Sequence, residues 1–211
     1  MAKTLNLIRT FCIIAALLGA GAVAVFSQPG MLSARIGIVI DSGEQSIRAR
    51  GQESIKLGDR LRIHIQSEAA CHVYVVHNDH KTVTLLGAFE GMSPGAQLVL
   101  PGLQEFYQVD GKSPVEVFTI ICSTVKLSDI LALFNSKVTY EGWAFMEEKL
   151  LKQGKIDLSQ NPDKPSPIAG NVRGPDGSNN GSTKDDSIIS GLPVYSGNTI
   201  IVKRYEFNIK K

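Results

Sequence analysis

From residue 35 to residue 123 the sequence repeats one pattern, in which short apolar runs are separated by residues that favour turns. Within residues 60–66, apolar side chains such as Leu61 alternate strictly with polar ones. This period of two is typical of a strand with one buried and one solvated face, so we expect the side chain of His64 to be exposed. Repeated short strands with turn signals between them predict an antiparallel β-sandwich or barrel.

The pattern changes after this region. Ser128 is an N-cap candidate for a helix over residues 129–134, and residues 141–153 predict a second helix. Residues 160–198 are rich in Pro, Gly, Asn, Ser and Asp, which predicts a flexible insert. Residues 199–209 follow as a closing strand. The predicted fold class is mainly β: an antiparallel β-sandwich, immunoglobulin-like or similar, with two late helices and a long disordered loop.

The first residues have the composition of a secretion signal. Lys3 and Arg9 precede or border an uncharged apolar run, residues 11–26, and the small residues Ala24 and Ser27 mark two cleavage points. The alternative is an uncleaved anchor helix, although the run is shorter than the roughly 20 residues that cross a bilayer. We therefore expect a periplasmic or extracellular protein. A protein anchored in the inner membrane and facing the periplasm is the alternative.

Removal of residues 1–27 leaves residues 28–211, a length typical of a single domain. The count of Lys and Arg then falls from 22 to 20, which equals the 20 Asp and Glu residues. A chain with no net charge and no basic block is poorly suited to neutralise phosphates. We expect no nucleic-acid partner, and contact with a membrane only through the N-terminal segment if that segment is not cleaved.

Two of the three cysteines, Cys71 and Cys122, lie in apolar runs that predict buried strands. An oxidising compartment would permit a disulfide between them. The alternative is a pair of separate buried thiols that pack as small apolar groups. The sequence does not place their Cα atoms within bonding range, so both interpretations stay open.

Several histidines and one aspartate lie close together in the sequence. His77 and His80 flank a predicted turn that contains Asp79, and His64 and His72 precede them. Imidazole and carboxylate groups serve as zinc ligands and as catalytic acids and bases. Turn residues three apart need not converge on one ion, so we predict no metal site, no cofactor and no catalytic residue. An envelope enzyme or metal-binding protein that uses His64, His72, His77 and Asp79 is the alternative.

Two further motifs match only in part. Residues 91–95 fit the G-x-S-x-G string of a nucleophile elbow, but Pro94 follows Ser93 and has no backbone N–H for an oxyanion hole. Residues 176–181 imitate the first half of a calcium loop, but Ser187 stands where a bidentate Glu is required. We interpret both segments as loops.

Trp143, Phe145 and Met146 lie in the second predicted helix. At helical spacing, large apolar residues usually dock a helix on its own sheet. We favour that interpretation over a face that binds a partner.

The middle of the chain carries a series of strand motifs with a recognisable order. A Gly-Asp pair precedes a strand, a Tyr-containing apolar run leads into a hairpin, and a Pro-Gly strand end precedes two more segments. These motifs are residues 57–61, 71–76, 83–86, 100–102, 106–112 and 116–123. In this order they resemble the DUF4384 family of exported bacterial domains of unknown function. The resemblance implies a β-sandwich outside the cytoplasm and implies no active site.

Together these features favour an exported, non-catalytic cell-envelope module that binds a protein or ligand partner. A sandwich offers edge strands for strand addition, and the predicted insert could order on contact. A purely structural envelope protein is a further alternative.

Overall fold

The computed structural model describes residues 31–43, 46–154 and 188–210. Two packed β-sheets form a sandwich in this part of the chain, which confirms the mainly β prediction. The strands of the first sheet are β1 (Leu32–Asp41), β2 (Ser46–Arg48), β4 (Arg60–Ser67), β7 (Gln97–Leu100), β8 (Tyr107–Gln108) and β10 (Val194–Gly197). The strands of the second sheet are β3 (Gln52–Lys56), β5 (Cys71–Asn78), β6 (Val83–Met92), β9 (Val115–Ser123) and β11 (Ile200–Lys210).

The first sheet is built on β1 and β4, which pair antiparallel with Ile38 opposite Ile63. On one side, β2 and β10 both pair with β1. On the other side, β7 and β8 both pair with β4. The period-two alternation of the sequence therefore corresponds to the two central strands of this sheet.

The second sheet has the strand order β3-β11-β9-β5-β6. The pairs among β11, β9, β5 and β6 are antiparallel, but β3 pairs parallel to β11. The sandwich is therefore antiparallel except at this edge. The chain leaves β2 in the first sheet and crosses through Gly51, which adopts φ +130° and accepts a hydrogen bond from Glu206 N–H at 2.8 Å. This crossing starts β3 in the same direction as β11.

The inner faces of both sheets form one apolar core. Ile36, Ile38 and Ile40 of β1 lie against residues such as Val75 and Ile120 of the second sheet. Each fully buried aliphatic side chain stabilises the fold by about 1.5–3 kcal/mol relative to exposure. The two sheets are therefore held together mainly by this apolar core.

Two helices cover the outer face of the second sheet: α1 (Ser128–Asn135) and α2 (Tyr140–Gln153). Both predicted helices are thus present. The N-cap prediction for Ser128 is wrong, because Leu127 takes that position without a side-chain cap. The Leu127 N–H instead donates to the Tyr74 hydroxyl of β5 at 3.0 Å, so a contact with the sheet fixes the start of α1.

Residues 188–198 correct the prediction of a flexible insert. They include β10, and the side chains of Ile189, Leu192 and Tyr195 are buried. The Pro193 carbonyl accepts a hydrogen bond from the Ile36 N–H at 3.3 Å. The Pro, Gly and Ser residues here shape a turn and a short strand that pack on the first sheet. Residues 160–187 of that prediction lie outside the described ranges.

Candidate functional site

The core is least completely covered along the side where β6 faces β7 and β8. The side chains that pack against the core but stay partly exposed come mainly from these three strands. They are Leu86, Phe89 and Met92 of β6, Leu98 of β7 and Tyr107 of β8, together with Ala69 and Ile209. This side, which we call the open side, combines an edge strand with a cleft between the sheets.

β6 is the outermost strand of the second sheet and, within the described residues, pairs with β5 only. It is ten residues long, and Glu90 is its single charged residue. Its pairing with β5 shifts register twice, once at Leu86 and once near Gly91, where φ is +64°. Bulges of this kind redirect side chains and increase the local twist. Here they let both Leu86 and Met92 reach the core.

A cleft of about 230 Å³ opens beside the end of β5 on this side. His77 of β5 and Glu116 of β9 line it together with Phe118. The His77 Nε2 atom contacts the Glu116 carboxylate, and the imidazole lies 4.9 Å from the Phe118 ring centroid. Both side chains are mostly buried. The imidazole thus lies between the Glu116 carboxylate on one side and the Phe118 ring on the other.

Asp79 also lines this cleft, but its Oδ1 atom has a structural role. It accepts hydrogen bonds from the Lys81 N–H at 3.0 Å, the Thr82 N–H at 2.6 Å and the Thr82 hydroxyl at 2.9 Å. Burial alone would raise the pKa of Asp79, but these hydrogen bonds and the neighbouring His77 hold it below its ordinary value. The carboxylate therefore closes the turn between β5 and β6.

The cleft is also lined by Asp110, Lys112 and Ser113. Lys112 Nζ lies 2.7 Å from Asp110 Oδ2, and this hydrogen-bonded pair lowers the pKa of Asp110 and raises that of Lys112. The Ser113 hydroxyl donates to the Asp79 carbonyl at 3.2 Å. It is thus bonded to backbone. A serine nucleophile would need a hydrogen bond to a base such as His77, and no such contact is present among the described residues.

The histidines that the sequence grouped together are separated in the fold. His72 lies near the start of β5 and His77 near its end, roughly 16 Å apart at the usual rise per residue. His72 also points to the helix-covered face, whereas His77 points to the inner face. Of the four residues in the alternative interpretation, only His77 and Asp79 line the cleft. Within the described ranges, no group of three His, Cys, Asp or Glu residues can hold a metal ion.

His64 is the clearest error of the sequence interpretation, because its side chain is 0% exposed. It does lie on the outer face of β4, opposite Gly37 of β1. The side chain of Leu192 packs over Gly37 on that face. A later segment of the chain thus covers a face that the alternation predicted to be solvated.

Cys71 and Cys122 both lie in the inter-sheet core as free thiols. They come from the adjacent strands β5 and β9, and the interaction between the two thiols lowers the pKa of Cys71 and raises that of Cys122. The prediction of buried strands around both cysteines is confirmed. The disulfide stays a prediction.

The predicted docking role holds for two of the three apolar residues in α2. Trp143 is 0% exposed and Met146 packs against the same cluster. Phe145 is 74% exposed and does not contribute to docking. Ser93 lies in the turn after β6, but Gly91 and Met92 are part of the strand, so the loop interpretation of residues 91–95 is confirmed only from Ser93 onward.

Some predicted features lie outside the described ranges: the cleavage points at Ala24 and Ser27, and the calcium-like residues 176–181. The sequence interpretation also missed two features. Glu116 is the one charge in the apolar run 115–122, a signal that could have been noticed. The edge position of β6 carries no signal in the sequence, because it depends on which strands pair.

Comparisons with protein-family models, with curated proteins and with solved structures found no match for this chain. The resemblance to DUF4384 therefore stays a prediction. No helix in the described ranges combines the length and the apolar character that a membrane span requires.

Proposed function

We propose that this chain is an exported, non-catalytic cell-envelope module that binds a protein partner by strand addition along β6. In this mode an extended segment of the partner pairs with the free backbone groups of an edge strand. The observation that carries the proposal is the exposed edge of β6, a ten-residue strand at the end of its sheet.

The composition of β6 supports this choice. Natural edge strands are usually protected by charged residues, by proline or by very short length. β3, at the other edge of the same sheet, is short and carries Glu53 and Lys56 among its five residues. β6 is twice as long, carries only Glu90 as a charge and keeps Leu86 and Phe89 partly exposed. Its bulges give some protection, yet β6 remains the longest accessible edge among the described strands.

The open side also gives a partner a means of specificity. In strand addition, main-chain hydrogen bonds form with a partner segment of any sequence, and neighbouring pockets select the side chains of that segment. The cleft lined by His77, Glu116 and Tyr107 lies beside the first half of β6, with Leu86 in its wall. A partner strand on β6 would place alternate side chains at this cleft.

The polar groups of the cleft favour binding over catalysis. Asp79 closes a turn, Ser113 bonds to backbone, and Asp110 pairs with Lys112. Each of these groups has a structural partner. Export is proposed from the N-terminal residues alone, namely the basic start and the apolar run 11–26.

Site-specific photo-crosslinking in intact cells tests the proposal. A photo-reactive amino acid replaces Ala88, which is exposed in the middle of β6. The matched control replaces Ser54, which is exposed on β3 at the opposite edge of the same sheet. We expect a crosslinked protein in the envelope fraction at position 88 and none at position 54. Equal crosslinking at both positions, or none at position 88, would contradict strand addition at β6.

A further inference from the structure

The two core cysteines occupy one face of two neighbouring strands. β5 and β9 are antiparallel, with Val73 opposite Cys122. Cys71 is two residues before Val73 on β5, so both side chains point to the inner face and are diagonal neighbours. Their exposures are 2% and 0%.

Diagonal neighbours are farther apart than residues directly opposite each other. A disulfide requires Cα atoms within about 4.4–6.8 Å, so closure between diagonal neighbours needs a small backbone shift as well as rotation of both side chains. The two thiols occupy the same inter-sheet core, and the interaction between them is the largest influence on the pKa of each. The hydroxyl of Ser67, at the end of β4, also lies near the Cys71 sulfur and donates its own hydrogen bond to the Ala69 carbonyl at 2.7 Å. Two sulfurs and a hydroxyl thus form a small polar cluster inside an otherwise apolar core.

The pKa values of the two thiols are shifted in opposite directions. The hydrogen bond with Cys122 is the main cause that lowers the pKa of the Cys71 thiol to about 6, with burial opposing it and Ser67 assisting. Donation of that same hydrogen bond, together with burial, raises the pKa of Cys122 well above its ordinary value. At neutral pH the arrangement therefore favours a Cys71 thiolate beside a Cys122 thiol. A thiolate is the form of cysteine that attacks disulfides.

We propose that Cys71 and Cys122 are a redox-active pair that a disulfide oxidant converts to an intramolecular disulfide between β5 and β9. The Cys71 thiolate attacks one sulfur of the oxidant, which breaks the S–S bond of the oxidant and releases its other sulfur as a thiol. The Cys122 sulfur then loses its proton and attacks the Cys71 sulfur, which releases the second thiol of the oxidant. Two protein thiols lose two electrons, and one disulfide of the oxidant gains them.

Burial determines when the reaction takes place. Neither sulfur is accessible in the closed sandwich, so the exchange occurs during folding or when the start of β5 opens. Once formed, the bond closes a long loop of the chain, which restricts the unfolded state and raises the resistance to denaturant. The inference relies on the proposed export only for the presence of an oxidant in the cell. It is independent of partner binding at β6.

The test uses the full chain with oxidised glutathione as the oxidant. Reduced protein is incubated with it, denatured in acid, alkylated and mapped by mass spectrometry. We expect one peptide pair linked through Cys71 and Cys122, with a mass about 2 Da below the sum of the two reduced peptides. Cys12, outside the pair, is the internal control and carries alkyl or glutathione. Alkylation of both Cys71 and Cys122 after incubation would overturn the inference, as would linkage of either one to Cys12 or to a second chain.

Two variants identify the attacking sulfur. In Cys122→Ser the mixed disulfide on Cys71 cannot be resolved, so we expect Cys71 to retain one glutathione. In Cys71→Ser we expect Cys122 to react much more slowly, by at least about tenfold, because it lacks the thiolate character of Cys71. The reverse order of reactivity would contradict the proposed roles. If either variant fails to fold, the linked peptides of the wild-type chain still decide whether the bond forms. Crosslinking at position 88 measures partner binding in a separate experiment. The proposal of a redox-active pair and the proposal of strand addition can therefore fail independently.

Discussion

The side chain of Leu192 lies directly over Gly37 on the outer face of the first sheet, in the space that a Cβ atom at position 37 would fill. Gly37 is in the centre of the sheet, in β1, and Leu192 comes from the segment that precedes β10. The contact explains why a strand otherwise rich in isoleucine contains a glycine. It also explains why His64, opposite Gly37, is buried.

Gly37→Ala is expected to destabilise the protein by about 1–3 kcal/mol, because the new methyl group overlaps the Leu192 side chain. Urea unfolding measures the change. In the Leu192→Ala background the same substitution should cost much less, since neighbouring substitutions couple. Gly142→Ala is the matched control: its Cβ would meet only ordinary contacts near the start of α2, so we expect no loss and a gain of up to about 1 kcal/mol. Equal costs of Gly37→Ala in both backgrounds would contradict this packing.

A buried polar contact joins α2 to the second sheet. The Thr119 hydroxyl of β9 donates to the Glu147 carboxylate, and Arg204 Nε of β11 lies 3.6 Å from the same oxygen. Glu147→Ala leaves the buried hydroxyl without its acceptor, which should cost about 1–3 kcal/mol in the free energy of unfolding. Glu148→Ala, next to it, removes only an exposed pair with Lys152 and should leave the free energy of unfolding almost unchanged. Similar costs for the two variants would show that the contact does not anchor the helix.

The two aromatic residues of α2 should differ sharply in stability. Trp143→Ala removes a fully buried side chain and is expected to cost about 3–5 kcal/mol. Phe145→Ala removes a side chain that is 74% exposed, so we expect a change within about 0.5 kcal/mol. Thermal and urea unfolding of both variants provide the comparison. A large loss in Phe145→Ala would place that side chain in the packing of the helix, contrary to the structure.

The turn between β5 and β6 should make stability depend on pH through Asp79. A carboxyl group with a lowered pKa in the folded state stabilises the fold above its unfolded pKa, and this contribution is lost as the pH falls through the folded pKa. For Asp79 the loss begins near pH 4, about the ordinary value of an aspartate. Asp79→Asn keeps an acceptor oxygen but removes this titration. The variant should therefore lose stability less steeply than the wild type on acidification.

Urea unfolding at a series of acidic pH values measures that slope. Asp110→Asn is the control, because the pKa of Asp110 is also lowered but the residue is exposed and paired with Lys112. Its effect should be small and should shrink further in high salt. Identical acid slopes for wild type and Asp79→Asn would refute the role of the turn.

The sequence predicted the features that depend on local pattern. The alternation in residues 60–66 predicted β4, and the helical spacing in residues 141–153 predicted α2. His64 was misjudged because a period of two shows that a strand has two faces, but not what the rest of the chain places over each face. Likewise, the Pro, Gly and Ser residues within 188–198 hid a short strand that pairs with β1.

The candidate site depended on tertiary pairing, and the sequence therefore predicted little of it. His77 was noticed, but its partner Glu116 is far away in sequence and only the pairing of β5 with β9 brings the two together. The same pairing brings Cys71 close to Cys122, which the spacing of the cysteines alone could not establish. The edge position of β6 is likewise a property of the sheet order.

Recovery of the partner with an edge-blocked variant tests the central claim most directly. Ala88→Lys places a charge on the exposed edge of β6, a device by which natural proteins prevent strand addition. Ser54→Lys, on the opposite edge, is the matched control. For the protein that crosslinks at position 88, we expect Ala88→Lys to lower recovery at least about tenfold, equivalent to about 1.4 kcal/mol of binding, without a change in Tm. Ser54→Lys should recover the partner as the wild type does. Undiminished recovery with Ala88→Lys, or an equal loss with Ser54→Lys, would contradict strand addition along β6.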